Sequence, residues 1–157
     1  MTYKKGMNLP QAIALTEKFT QELNKIGITH TQVAGSIRRK ELSIGDIDII
    51  VEGDLEKVKT IPGVEFKNGG DTRLTLVYDG QQINVFRAEL EYWGSMLFSL
   101  TSPTGSQIHY RAKAKSMNMV FNQYGLWKDG KCIASKTEQD IYAAFGKPYK
   151  EPERRGK

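Results

Sequence analysis

Two short stretches carry residue types suited to phosphate chemistry: Gly35-Ser36-Ile37-Arg38-Arg39 and Gly45-Asp46-Ile47-Asp48. In an extended segment, carboxylates at i and i+2 point to the same side, so Asp46 and Asp48 bring four oxygens together. Like charges held that close are costly unless a cation lies between them. Hard divalent ions such as Mg2+, or Mn2+ in its place, take oxygen-rich sets of this kind and bridge them to phosphates. Gly35 and Ser36 offer N–H and hydroxyl donors, and Arg39 offers a planar fork that matches phosphate oxygens. Gly45 lets the chain turn tightly into the Asp46 strand. A surface strand with two exposed aspartates behind a basic loop is the plain alternative. Donors on one loop and carboxylates on the next strand, flanking one space, favour the phosphate–metal reading.

Regular elements must hold these residues in place. Ala12, Leu15, Phe19, Leu23 and Ile26 recur at spacings of three and four, which predicts a helix over Pro10–Ile26 ended by Gly27. Pro10 suits its first turn. A short strand is expected at Thr31–Ala34 and another through Asp46–Glu52, where Ile47, Ile49 and Val51 share one face. Glu52–Lys59 reads as a solvated connection with one short helix, and Gly63, Gly69 and Gly70 mark loops after it. The clearest hairpin joins Thr72–Tyr78 to Gln81–Phe86 through Asp79-Gly80. On its return strand Ile83 and Val85 share a face, with Gln82, Asn84 and Phe86 on the other. Glu89–Leu100 reads as a helix burying Leu90, Trp93, Leu97 and Leu100, stopped by Pro103. Beyond it come a basic helix over Ser106–Met117, a hairpin at Lys128–Lys131 with Cys132 buried in it, and a helix over Glu138–Phe145 capped by Thr137. The expected fold class is α+β, with a mixed-sheet lobe over 1–102 and a smaller α/β lobe over 103–157.

Composition narrows the rest. The chain has 157 residues, 39% hydrophobic and 26% charged, which fits a globular rather than a disordered protein. Cys132 is the only cysteine, and His30 and His109 the only histidines, so an internal disulfide and a multi-histidine zinc site are excluded. No apolar run approaches the roughly 18 residues of a membrane span. Met1–Pro10 lacks a signal-peptide core. An intracellular monomer without membrane contact is expected. The net charge of +5 permits an anionic partner without identifying one.

GSIRRKELSIGDIDIIV resembles the nucleotidyltransferase superfamily and, within it, the family X DNA polymerases, whose motif runs Gly-Ser, two arginines, then Gly-Asp-x-Asp at this spacing. Thr104–Ser106 resembles that family's junction between palm and thumb. RAKAKSMNMVFNQY, Arg111–Tyr124, resembles its Arg-Ala helix followed by Asn-x-Tyr, and YKEPERR its carboxy-terminal segment. The likeness spans about Leu9 to Arg155. It implies a nucleotidyltransferase-type palm over 1–102 and a thumb subdomain over 103–157. It implies, too, template-directed addition of a deoxynucleotide to a primer 3′-hydroxyl by a two-metal mechanism. Asp46 and Asp48 would hold both ions. Ser36 and Arg39 would hold the triphosphate, with Gly45 giving a backbone contact and Gly105 lying against the sugar. Arg111, Asn122 and Tyr124 would shape the pair-binding surface on DNA. Among Lys147, Lys150, Arg154, Arg155 and Lys157 of the basic end, Arg154 and Arg155 are the candidate contacts to DNA phosphates. Partners would be primer–template or gapped DNA and deoxynucleoside triphosphates. No amino-terminal lyase region is expected ahead of the palm.

Three departures from the family pattern stand out. The third metal-site carboxylate falls at Asn84, in the right register on the polar face but uncharged and unable to act as a general base. Asn84 would weaken the ion that activates the primer hydroxyl and spare the one on the triphosphate. A replaced aspartate and a natural variant of altered activity both fit, and retention of the rest of the site favours the replacement. Ser102-Pro103 stand where aromatic residues often precede Thr-Gly. Asn8 stands where an arginine often precedes the first palm helix, with Lys4 or Lys5 as substitute donors. Two other functions use the same motif: nucleotidyl transfer to RNA, a small molecule or a protein, and an inactive DNA- or nucleotide-binding module.

Overall fold

A computed structural model describes residues 6–156 of the chain. Lys4, Lys5 and Lys157 lie outside the described residues. The chain is a mixed α+β protein that divides into two compact units, one ending at Ala88 and one beginning at Glu89. The sequence places the break at Ser102-Pro103. The contact division falls earlier because the helix before that break packs within the second unit.

In the first unit, α1 (Leu9–Lys25) starts one residue before the predicted helix and buries Ala12, Phe19 and Leu23, with Leu15 and Ile26 packed beside them. Its start is fixed by a reciprocal cap. The Asn8 side chain accepts from the Gln11 N–H at 2.9 Å, and the Gln11 side chain accepts from the Asn8 N–H at 3.0 Å. The departure at Asn8 therefore has a local structural use. Two two-residue strands that the sequence does not signal, β1 (Met7–Asn8) and β3 (Ser43–Ile44), pair with each other and fix the approach to Gly45.

Five strands form the main sheet: β2 (Thr31–Val33), β4 (Ile47–Val51), β5 (Glu65–Gly69), β6 (Arg73–Tyr78) and β7 (Gln81–Arg87). Their order is β2-β4-β7-β6-β5, with β4 and β7 parallel and the other neighbours antiparallel. Ile47, Ile49, Val51, Leu74, Leu76, Ile83 and Val85 enter one core cluster with Phe19 and Leu23 of α1. Each such side chain contributes on the order of 2 kcal/mol through burial. The period-two alternation leaves Asp48, Thr75, Gln82 and Asn84 on the opposite face. The β6–β7 turn is the predicted one, with Asp79 and Gly80 both at positive φ. Strand β5 corrects the expected loop around Gly69: its five residues are all exposed, so it carries no apolar alternation, and pairing with β6 alone makes it a strand. Two short helices complete the unit, α2 (Gly35–Arg38) in place of the expected loop and α3 (Leu55–Val58).

The second unit holds α4 (Trp93–Thr101), α5 (Thr104–Ser116), β8 (Val120–Asn122), β9 (Gly125–Lys128), β10 (Lys131–Ala134) and α6 (Glu138–Ala144). The strands form an antiparallel sheet ordered β10-β9-β8. Phe98 centres the core, meeting Tyr110, Phe121 and Tyr142 edge-on at 5.2, 5.4 and 5.1 Å between ring centroids. Two expectations are corrected. Leu90 lies in a single 3-10 turn ahead of α4 and is 53% exposed, because the helix begins only at Trp93. Cys132 is exposed on β10 rather than buried, as are its neighbours Lys131 and Ile133.

Candidate active site

The parallel register of β4 and β7 sets Asp48 directly opposite Asn84, and the antiparallel register of β6 and β7 sets Thr75 on its other side. Asp46 lies just before β4. The Asn84 Nδ2 donates to Asp46 Oδ2 at 3.1 Å and to Asp48 Oδ1 at 3.0 Å. Its Oδ1 accepts from Thr75 Oγ1 at 3.0 Å and from Gln82 Nε2 at 3.2 Å. Gln82 Nε2 also donates to Asp46 Oδ2 at 3.4 Å, and Arg73 Nη2 to Thr75 Oγ1 at 3.3 Å. The half-buried Asp46 and Asp48 and the buried Asn84 thus share one polar cluster. Burial pushes the Asp48 carboxyl up to about 6, and the Asp46 charge adds to the rise. The Asn84 hydrogen bond and the Arg39 and Arg73 charges oppose it.

Gly35 lies against this cluster. The Ala34 N–H donates to the Asp48 carbonyl at 2.8 Å, which brings the start of α2 to the carboxylates. At Gly35 φ is +62°, and a Cβ there would stand 2.5 Å from Asp48 Oδ2. Both facts require glycine. Ser36 and Arg39 follow on the same turn, both half-buried. Arg39 Nε is 3.5 Å from Glu41 Oε2, and its charge also reaches Asp48. Gly45 is exposed, and a Cβ there would meet nothing within 4 Å. The protein's own packing does not demand a glycine at 45.

In the second unit, Gly105 and Arg111 are exposed on α5, Asn122 ends β8 half-buried, and Tyr124 is 38% exposed. The Asn122 side chain accepts from the Tyr124 N–H at 2.9 Å, and Tyr124 stacks edge-on with Tyr92 at 5.0 Å. Gly105, like Gly45, has open space where a Cβ would go. It lines a cavity of about 540 Å3 with Ser106, His109, Tyr110, Lys147 and Lys150. Arg154 is exposed. Arg155 is corrected: it is 3% exposed, forks onto Glu138 at 2.6 and 3.1 Å, and lies within 5.7 Å of the Phe98, Tyr142 and Tyr149 rings. A guanidinium so committed is an internal strut, not a phosphate contact.

The sequence reading missed Gln82, Thr75 and Arg73 as parts of the polar cluster. Gln82 was legible two residues before Asn84 on the same face. Thr75 and Arg73 needed the hairpin register. Asp46 and Asp48 suit one divalent cation with phosphate oxygens. A second ion would need a further charged ligand, and the amide N–H groups of Asn84 face the carboxylates where that ligand would be wanted. Among the described residues, no group of three His, Cys, Asp or Glu side chains could hold a metal ion. No helix among them is long and apolar enough to cross a membrane.

Residues 99–156 match the family description "DNA polymerase beta thumb". Over 99% of both chains, the sequence is 26% identical to the "Repair DNA polymerase X" of a Kenyan pig isolate of African swine fever virus. The proteins of that name from the Vero-adapted Badajoz strain and a Malawian tick isolate are also 26% identical, over 90% of each chain. With a mixed-sheet unit bearing the Asp-x-Asp strand and a second unit matching that thumb, the chain is a homologue of the family X DNA polymerases.

Proposed function

We propose that this protein adds a deoxynucleotide to the 3′-hydroxyl of a primer, directed by the template, in short gaps of DNA. The observation that carries the reading is the joining of Asp46 and Asp48 with the Gly35–Arg39 turn on one sheet face, in a chain homologous to repair polymerases over its length. The primer 3′-hydroxyl oxygen attacks the α-phosphorus and gives its proton to water, the bond from the α-phosphorus to the bridging β-phosphate oxygen breaks, and pyrophosphate leaves. Ser36 and Arg39 bind the triphosphate, and Gly45 lets the backbone approach it. Asp46 and Asp48 are the residues that would hold Mg2+, or Mn2+. A bound cation would supply charge neutralisation on the triphosphate and its leaving group. Gly105 faces the sugar, while Arg111, Asn122, Tyr124 and Arg154 face DNA. The open Cβ positions at Gly45 and Gly105 support a ligand as the reason for glycine there. Asn84 neither accepts a proton from the hydroxyl nor adds a charge for a second cation, so transfer is slow compared with a complete two-metal site.

Incubating the chain and Mg2+ with one-nucleotide gaps presenting each of the four template bases tests the reading. Product formed only from the complementary deoxynucleotide is expected. Addition regardless of template, or only to an RNA or small-molecule acceptor, would assign the site to another nucleotidyl transfer. Nucleotide binding with no product even in Mn2+ would assign it to an inactive binding module.

A further inference from the structure

The orientation of the Asn84 amide follows from two neighbours that only accept, Asp46 and Asp48. A guanidinium only donates, so Arg73 takes a lone pair of Thr75 Oγ1 at 3.3 Å and leaves the Thr75 proton for Asn84 Oδ1, 3.0 Å away. Ionised carboxylates only accept, so Asp46 and Asp48 require the Nδ2 side of the amide. The Gln82 Nε2 donates to Asp46 Oδ2 and to Asn84 Oδ1, which excludes a second donor on the side where Oδ1 now lies. For the Asn84 oxygen to face a cation, the amide must rotate by half a turn. Its NH2 would then confront the Gln82 NH2, and the Thr75 proton would lose its acceptor.

We propose that Gln82 is a positioning residue which, with Thr75, locks the Asn84 amide with its N–H groups toward Asp46 and Asp48, so that the site takes a single divalent cation with the nucleotide. The proposal rests on the nucleotidyl-transfer reading of this site and specifies its cation stoichiometry. The two N–H groups occupy the place a second cation would need, and they give each carboxylate one hydrogen bond without one. The barrier to a second ion is then the direction of the amide as well as the absence of a charge at 84. These causes separate experimentally, because the lock can be removed without adding a charge. Gln82→Met keeps the length of the side chain and deletes its donors. Thr75→Val keeps the shape of a buried strand residue and deletes the hydroxyl.

Mn2+ is titrated into the full chain with a deoxynucleotide analogue that cannot be cleaved between its α- and β-phosphates, and free Mn2+ is read by electron paramagnetic resonance. The chain binds one ion with the analogue, and Asn84→Asp binds two. Gln82→Met strengthens the second, weak binding event roughly fivefold, the worth of one net hydrogen bond, and adding Thr75→Val multiplies it by roughly five again. Unchanged second-ion binding in both variants, alongside two ions in Asn84→Asp, would overturn the lock and leave the nucleotidyl-transfer reading standing. Absence of analogue-dependent Mn2+ binding even in Asn84→Asp would overturn both. The unmodified chain gives a second readout that needs no variant to fold. The 15N–1H signals of the Asn84 side-chain NH2 stay protected from exchange when Mg2+ and the analogue are added. Loss of that protection would contradict the lock.

Discussion

At the scale of single residues, Asp48 shows what a buried carboxylate costs the fold. Its carboxyl is held up to about 6, against an ordinary value of 3.8, mainly because burial disfavours the charged form. A group whose folded value is raised contributes its stability in full below its unfolded value and loses it as pH climbs through the folded one. The cation-free protein therefore loses stability between about pH 4 and pH 6 on account of Asp48. Asp48→Asn should raise stability at neutral pH by on the order of 2 kcal/mol, read by thermal melting in the presence of a chelator. An unchanged or lowered melting temperature would contradict the assigned burial cost. Cation binding has the opposite pH dependence, since it requires the ionised carboxylate. Mg2+-dependent stabilisation should grow as pH rises through 6 and vanish in Asp48→Asn.

At the scale of elements, glycines separate packing from ligand approach. Gly94 opens α4, where a Cβ would run into the Thr137 backbone at the cap of α6, and the Gly94 N–H donates to the Lys136 carbonyl at 3.1 Å. Gly94→Ala should cost about 3 kcal/mol or more, visible as an early melting transition in urea. Gly45→Ala has open space and should melt as the native chain does while binding triphosphate more weakly. Weaker melting with unchanged nucleotide binding would reverse that assignment. The same elements show what was legible in the sequence. The strand carrying Asp48 and the hairpin carrying Asn84 could be read because alternation and the Asp79-Gly80 turn are local signals. Strand β5 could not, because all five residues are exposed and only the β6 edge defines it. The site was legible as a list of residues. Gln82 was within reach of the two-residue period, whereas Thr75 and Arg73 joined it only through the cross-strand pairing of β6 with β7.

At the scale of the whole molecule, the second unit shows why basic residues are not interchangeable. Arg154 and Arg155 are neighbours in a basic segment, yet one is exposed and the other is buried against Glu138 and three aromatic rings. Arg155→Ala leaves Glu138 buried without its partner and should destabilise the protein by about 3–5 kcal/mol. Arg154→Ala should leave stability unchanged and lower the salt dependence of DNA binding by about one phosphate contact. Equal effects of the two changes on stability would contradict this division of roles. The central claim, template-directed nucleotidyl transfer limited by the amide at 84, concerns the working of the complete chain. Its most direct test is extension of a one-nucleotide gap with the complementary deoxynucleotide and Mg2+, by the chain and by Asn84→Asp. The account predicts extension by both, at least about a hundredfold faster with the aspartate, the scale of a general base restored. Equal rates, or no extension by Asn84→Asp, would contradict it.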